Sequence, residues 1–152
     1  SAAKKEARMT QFDVPNPDYE QAVRESFGKQ TFMDFLGATL TAVSPGQVTI
    51  EMPVTPNLAQ QHGFVHAGAT TAVVDSACGY ATLTLLPPGS EVVTVEFKMN
   101  LLAPALGVKM IAHGRVVRPG RTLTVCQGEL FGEDEDGARK LCAIMTATMI
   151  RR

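Results

Sequence analysis

Hydrophobic and polar positions alternate with period two through the second half of the chain, the signature of half-buried strands. From Glu91 to Leu102, Val93, Val95, Phe97 and Met99 fall on one face and Thr94, Glu96, Lys98 and Asn100 on the other. Residues 108–118 and 122–131 repeat the pattern on either side of the turn Arg118-Pro119-Gly120-Arg121. A last strand at 139–150 follows Gly132 to Gly137, whose acidic run reads as a solvated hairpin tip. Upstream, 36–43 and 47–52 flank Ser44-Pro45-Gly46 and predict a hairpin, closed off by Pro53 and Pro56. Before these, Asn16-Pro17-Asp18 offers a cap and a first-turn proline for a short helix over 17–27, with Tyr19, Val23 and Phe27 on one side and Gly28 as the stop.

The alternation is lost between Gln60 and Leu86. Two histidines and two glycines occur within residues 62–68, and the rest of the stretch is mostly small or apolar and free of proline. It predicts a helix over 66–86. A single helix this apolar must be covered nearly all round, and the only cover available is the sheet curling about it. The expected class is therefore α+β, with a long central helix, about six antiparallel strands and a short N-terminal helix. The four strands after the helix are joined by tight connections and are expected to be antiparallel neighbours.

Composition narrows the function classes. With 152 residues, 45% of them hydrophobic, the chain can bury one core. A net charge of −1 gives no pull toward nucleic acid or membrane. Three cysteines (Cys78, Cys126, Cys142) in apolar runs read as reduced core residues of a cytoplasmic protein. No run is long and apolar enough for a membrane span, and the N-terminus lacks a signal-like apolar segment. Residues 1–15 are expected to be a flexible segment and 16–152 a single domain.

Asp75 is the only charged residue of the central stretch. A lone carboxylate in an apolar helix is costly to bury. Its helical neighbours at three, four and seven residues are Gly68, Thr71, Ala72, Cys78, Gly79 and Thr82, all small, while Val73, Val74, Tyr80, Leu83 and Leu85 lie elsewhere. That stripe leaves room for a ligand or another subunit. At the helix start, Ala67, Gly68 and Ala69 leave backbone N–H groups open at the positive end of the helix, a place suited to a carbonyl oxygen gaining charge. Eight residues separate Ala67 from Asp75, about 12 Å along a helix. One chain therefore cannot easily bring both to one carbonyl, whereas two antiparallel helices can. A homodimer with two composite sites is expected.

Gly63-Phe64-Val65-His66-Ala67-Gly68, then Asp75, then Ala77-Cys78-Gly79-Tyr80-Ala81, resembles the signature of hotdog-fold thioesterases of the PaaI type. The resemblance extends over about residues 35–150. It implies a helix inside a curved antiparallel sheet, dimers joined edge to edge and often paired into tetramers, and acyl-coenzyme A thioesters as substrates, with no cofactor and no metal. It further implies Asp75 as general base or nucleophile and the Ala67 N–H, with Gly68 beside it, as the oxyanion donor offered to the facing subunit. Gln60 falls where many members have an Asn that holds the thioester or the water, a place Gln61 or Asn57 could also fill. Thr94 lies where some members position the water with Ser or Thr. Lys98, Arg118 and Arg121 are candidates for the phosphates of coenzyme A.

Simpler readings stand beside these. Asp75 could be a structural carboxylate held by backbone N–H groups. His62 and His66 are four apart like metal ligands, but Gly63 between them favours a loop, with His66 as a cap or orienting residue and His62 at most beside the substrate. Cys78 lacks a base to activate it. Met99, Met110, Met145 and Met149 are core by their alternation, with an adaptable acyl tunnel as their second possible role. The leading reading is an acyl-CoA thioesterase leaning to medium- or long-chain aliphatic substrates. The alternatives are an aryl-CoA thioesterase and a non-catalytic acyl-CoA-binding protein. A hydratase of the same fold would want a His-Phe-Pro context, which is absent.

Overall fold

The computed structural model describes residues 12–152. Helix α1 (Tyr19–Gly28) and the short α2 (Thr31–Phe35) precede the hairpin of β1 (Thr39–Ser44) and β2 (Gln47–Pro53). A single 3-10 turn, Pro56–Leu58, leads to the long helix α3 (Ala67–Leu83). Strands β3 (Val92–Leu101), β4 (Lys109–Arg118), β5 (Leu123–Glu133) and β6 (Arg139–Arg151) follow. All six strands form one antiparallel sheet in the order β1-β2-β4-β5-β6-β3, curled about α3. This is the hotdog fold. Of the segment expected to be flexible, residues 1–11 lie outside the described residues, and Phe12 and Val14 pack against the core.

Three expectations are corrected. The N-terminal helix begins at Tyr19 rather than residue 17, because Asn16 Oδ1 accepts the Asp18 N–H (3.0 Å) in a local turn instead of capping the helix. The first strand, expected over 36–43, begins only at Thr39, because helix α2 precedes it and Leu36 caps that helix. Most consequentially, β3 is not a neighbour of β4: the link at 102–108 carries the chain away, and β3 pairs with β6 at the far edge.

The contact that fixes α3 is made by two glycines. Gly114 of β4 and Gly128 of β5 face each other as register partners. A Cβ at Gly114 would overlap the carbonyl of Ala77, and one at Gly128 would overlap the Val74 side chain. The helix presents Val73, Val74, Ala77, Cys78 and Ala81 to this spot, all fully buried. Small residues on both sides bring helix and sheet backbones into direct contact. At the helix C-terminus, Thr84 Oγ1 accepts the Gly46 N–H (2.7 Å) and donates to the Ala81 carbonyl (2.7 Å), tying the β1–β2 turn to the helix end.

The sheet does not close all round. Thr71, Ala72, Asp75, Ser76 and Gly79 stay half-buried, so the helix keeps one open stripe. Of the six small neighbours of Asp75, Cys78 and Thr82 belong to the core instead. Gly114→Ala should cost about 3 kcal/mol, since neither backbone can yield without moving the helix. Denaturant unfolding would measure this, and an unchanged midpoint would contradict the close-contact account.

Candidate active site

Two half-sites flank α3. The first is its start. His66 is extended (φ −61°, ψ 138°), and its Nδ1 accepts the Gly68 N–H (2.8 Å). The side chain is thus the cap, and with Nδ1 accepting, the proton of the neutral ring sits on Nε2. The His66 carbonyl takes the N–H groups of Ala69 (3.0 Å) and Thr70 (3.2 Å), and the His66 N–H donates to Leu58 (2.7 Å). Of the three N–H groups expected to be open, those of Gly68 and Ala69 are therefore spent. The Ala67 N–H alone has no partner among the described residues.

The preceding loop is tied to itself. The Gln60 N–H donates to Phe64 (2.8 Å), the Gly63 N–H returns to Gln60 (3.0 Å), and the Gln60 Oε1 accepts the His62 N–H. Gly63 supplies the positive φ (85°) this turn requires. The Gln60 oxygen is occupied, leaving its NH2 to donate. Gln60, Gln61, His66 and Ala67 share a cavity of about 570 Å³ with residues 101–105. Asn57 and His62 are exposed and line neither this cavity nor the next.

The second half-site is Asp75. Thr94 Oγ1 donates to its Oδ1 at 2.7 Å. The sequence alternation places Thr94 on the polar face with Glu96 and Lys98, and the structure corrects this. A β-bulge between Thr94 and Glu96 makes Val95 an extra residue and inverts the parity. Thr94, Phe97 and Met99 then oppose Met149, Ala147 and Met145, which face the helix, while Glu96 and Lys98 oppose Thr148 and Thr146 on the outer face. The bulge is what lets one strand offer a hydroxyl to Asp75 and a charged row to solvent.

Burial raises the Asp75 pKa, and the Thr94 hydrogen bond pulls it partway back. Asp75 and Thr94 line a cavity of about 690 Å³ whose opposite wall is α1 and the turn after it. No residue lines both cavities. Lys98, Arg118 and Arg121 are exposed and reach neither. Sequence reasoning missed the α1 wall, including Ser26, Lys29 and Gln30. Its polar spacing was visible, but nothing in it said which face would meet Tyr80. Met110, Met145 and Met149 are buried in the core, Met99 is half-buried and accepts a hydrogen bond from Thr71 (3.1 Å), and none of the four lines either of these two cavities. Cys78 is buried and its thiol is raised out of the reactive range, first by burial.

A hotdog sheet around a helix that carries one carboxylate two turns from a His-capped start defines a class, and the comparisons agree with it. The chain belongs to the thioesterase superfamily, whose model matches residues 62–138. A thioesterase family protein from Silicibacter pomeroyi is 46% identical, with 88% of this chain and 97% of that one aligned at a TM-score of 0.85. The E. coli PaaI protein from the phenylacetic acid degradation operon shares the fold at 18% identity (TM-score 0.78), over 91% of this chain and 96% of its own. A 1,4-dihydroxy-2-naphthoyl-CoA hydrolase from Listeria monocytogenes is 22% identical over 114 residues, 75% of this chain and 89% of that protein. The chain is a thioester hydrolase.

Two outcomes follow from the Asp75 environment. Thr94→Val removes the bond that favours the ionised carboxylate, so the acidic limb of kcat/KM should move to higher pH, with about a tenfold loss at neutral pH. A limb that stays in place would remove Thr94 from the site. Asp75→Asn should be at least as stable as the parent near neutral pH. Because the folded pKa is raised, the contribution of the Asp75 proton is fully present below the unfolded pKa and lost as pH rises through the folded one. The stability gap in favour of Asn, read by thermal unfolding, should therefore widen from acid toward neutral pH.

Proposed function

We propose that the protein hydrolyses acyl-coenzyme A thioesters at sites built from two subunits. The observation that carries this reading is the separation of the half-sites: Ala67, with its unspent N–H, and Asp75 open into different cavities on one chain. The name of the Listeria relative, a CoA hydrolase, supports coenzyme A as the leaving group.

In each site the Asp75 carboxylate acts on the thioester carbon, either directly as nucleophile or by taking a proton from the attacking water. Charge developing on the thioester oxygen is met by the Ala67 N–H of the facing subunit, at the positive end of its helix. Gln60, with Gln61 beside it, holds the thioester or the water through its side-chain NH2, and His66 keeps the helix start in shape. Thr94 orients Asp75 and holds it ionised. The coenzyme A thiolate leaves and takes up a proton; on the nucleophilic route water then hydrolyses the acyl–Asp75 anhydride, releasing the acid and restoring the carboxylate. Lys98, Arg118 and Arg121, all exposed, meet the nucleotide phosphates along the subunit boundary. No cofactor is needed, since coenzyme A belongs to the substrate.

The open edge of the sheet supports the dimer. Strand β3 is ten residues long, ends the sheet, and exposes Val93, Val95, Phe97 and Leu101. An apolar edge of that length invites pairing. Two copies joined through β3 would set their central helices antiparallel, and such dimers would pair again into tetramers.

Asp75→Asn should cut kcat at least about a hundredfold. Ala67→Pro deletes only the free N–H. Proline suits the first position of a helix, and His66 already has the extended backbone that a residue before proline needs. It should fold normally and lose about a hundredfold in kcat. When the two variants are unfolded and refolded together, half the dimers are mixed and each mixed dimer regains one intact site of two. Activity should return to roughly a quarter of the parent level. Absence of any recovery, with mixed dimers demonstrated, would refute the composite site.

A further inference from the structure

We infer that the end of the sheet formed by the β4–β5 turn and the close of β6 docks on an anionic lipid bilayer. Four arginines meet there. Arg118 and Arg121 flank Pro119-Gly120, and the Arg151 N–H donates to the Thr122 carbonyl (3.0 Å), which sets Arg151 and Arg152 beside the same turn. All four are exposed, and none forms an ion pair among the described residues. The carboxylates nearest in the fold are Glu91, whose backbone is paired with that of Arg152, and Glu96, which accepts from Thr148.

The net charge of −1 conceals this cluster because the opposite sign lies far away. Asp134, Glu135 and Asp136 stand beyond the other end of β5, whose 11 residues separate the two groups. That is about 35 Å at the usual strand rise. Screening at physiological salt acts over about 8 Å, so neither end neutralises the other. An approaching anionic surface meets the basic end alone.

Aliphatic side chains interrupt the charge, and they decide what kind of anion fits. Leu123 pairs with Ile150 and Ile150 with Val93, a row of three across β5, β6 and β3. Thr124 and Met149, next along their strands, are buried, so this row lies on the face turned away from α3. Leu123 and Val93 are exposed, as is Val117 in the β4 bulge before Arg118. A bilayer offers both partners together: phosphates for the guanidinium groups and the headgroup–acyl boundary for the row. A nucleic acid would leave the row uncovered, and residues 91–96, 116–123 and 149–152 hold no aromatic ring on which a base could stack. Arg118 and Arg121 also meet the nucleotide in the proposed reaction, whereas Arg151, Arg152 and the row have no part in it.

Cosedimentation of the intact protein with lipid vesicles tests this. Binding to phosphatidylcholine containing about one-third phosphatidylglycerol should be at least about tenfold tighter than to phosphatidylcholine alone, and should fall as salt is raised. Arg151→Glu should lose at least about tenfold of that affinity, and Leu123→Ser several-fold. Both variants should hydrolyse a soluble short-chain acyl-CoA at the parent rate, since neither residue lines either cavity. Lys140→Glu makes the same change in net charge at the opposite end of the sheet and should leave vesicle binding within about twofold. Equal binding to the two vesicle types overturns the inference, whether or not a variant folds. So does a loss from Lys140→Glu that matches the loss from Arg151→Glu. Release from the vesicles by saturating free coenzyme A also overturns it, because the cluster would then be a nucleotide site.

Discussion

The rest of the molecule depends on how closely one helix lies against the sheet at Gly114 and Gly128. Two facing glycines remove two side chains from the middle of a six-stranded sheet, at some cost to strand preference. In return the backbone of α3 rests directly on the strands at Ala77. With that contact made, the rotation of the helix is no longer free. Val73, Val74, Ala77, Cys78 and Ala81 must face the sheet, so Asp75, Ser76 and Gly79 must face away from it. The open stripe is a consequence of the buried one.

A second local device then brings the sheet back to the carboxylate. Without the bulge after Thr94, strict alternation would carry either Thr94 outward or the Phe97–Met99 row outward. One extra residue, Val95, allows both to face inward. A bulge on an edge strand costs little pairing, because only one neighbour is disturbed. It also exposes Val95 at the sheet edge, where a second copy of the chain would meet it. The orientation of Asp75 by Thr94 and the proposed subunit contact therefore share one backbone irregularity.

These two devices mark the boundary of what could be read from the amino acids. Strands β4, β5 and β6 and the central helix were legible because period two and the apolar run are properties of neighbouring residues. Asp75 stood out because it is the only charge in that run, and His66 as a cap because Gly63 before it favoured a loop leading into the helix. The bulge was not, since Val93, Val95 and Phe97 continue the alternation straight through it. The position of β3 beside β6 was not, because pairing across the sheet is decided by curvature and by the link at 102–108. Gly114 and Gly128 carried a signal, as glycines inside strands often mark a close approach, but only their register shows that they face one another. The wall formed by α1 depends on Gln30 reaching a tyrosine fifty residues away.

The helix start and the carboxylate obey opposite demands, and this is why they are separated. At the start, the cap leaves one donor unsatisfied: His66 and its carbonyl take three N–H groups and the Ala67 N–H remains. An unspent donor is cheap where solvent reaches it and expensive once buried. At Asp75 the need is reversed, because partial burial makes the carboxylate a stronger base but penalises its charge. Thr94 limits that penalty without removing it. Placed together in one chain, donor and carboxylate would satisfy each other and both would be spent. Held two turns apart on one helix, each stays unfulfilled within its own chain, which is the condition the proposed composite site would meet.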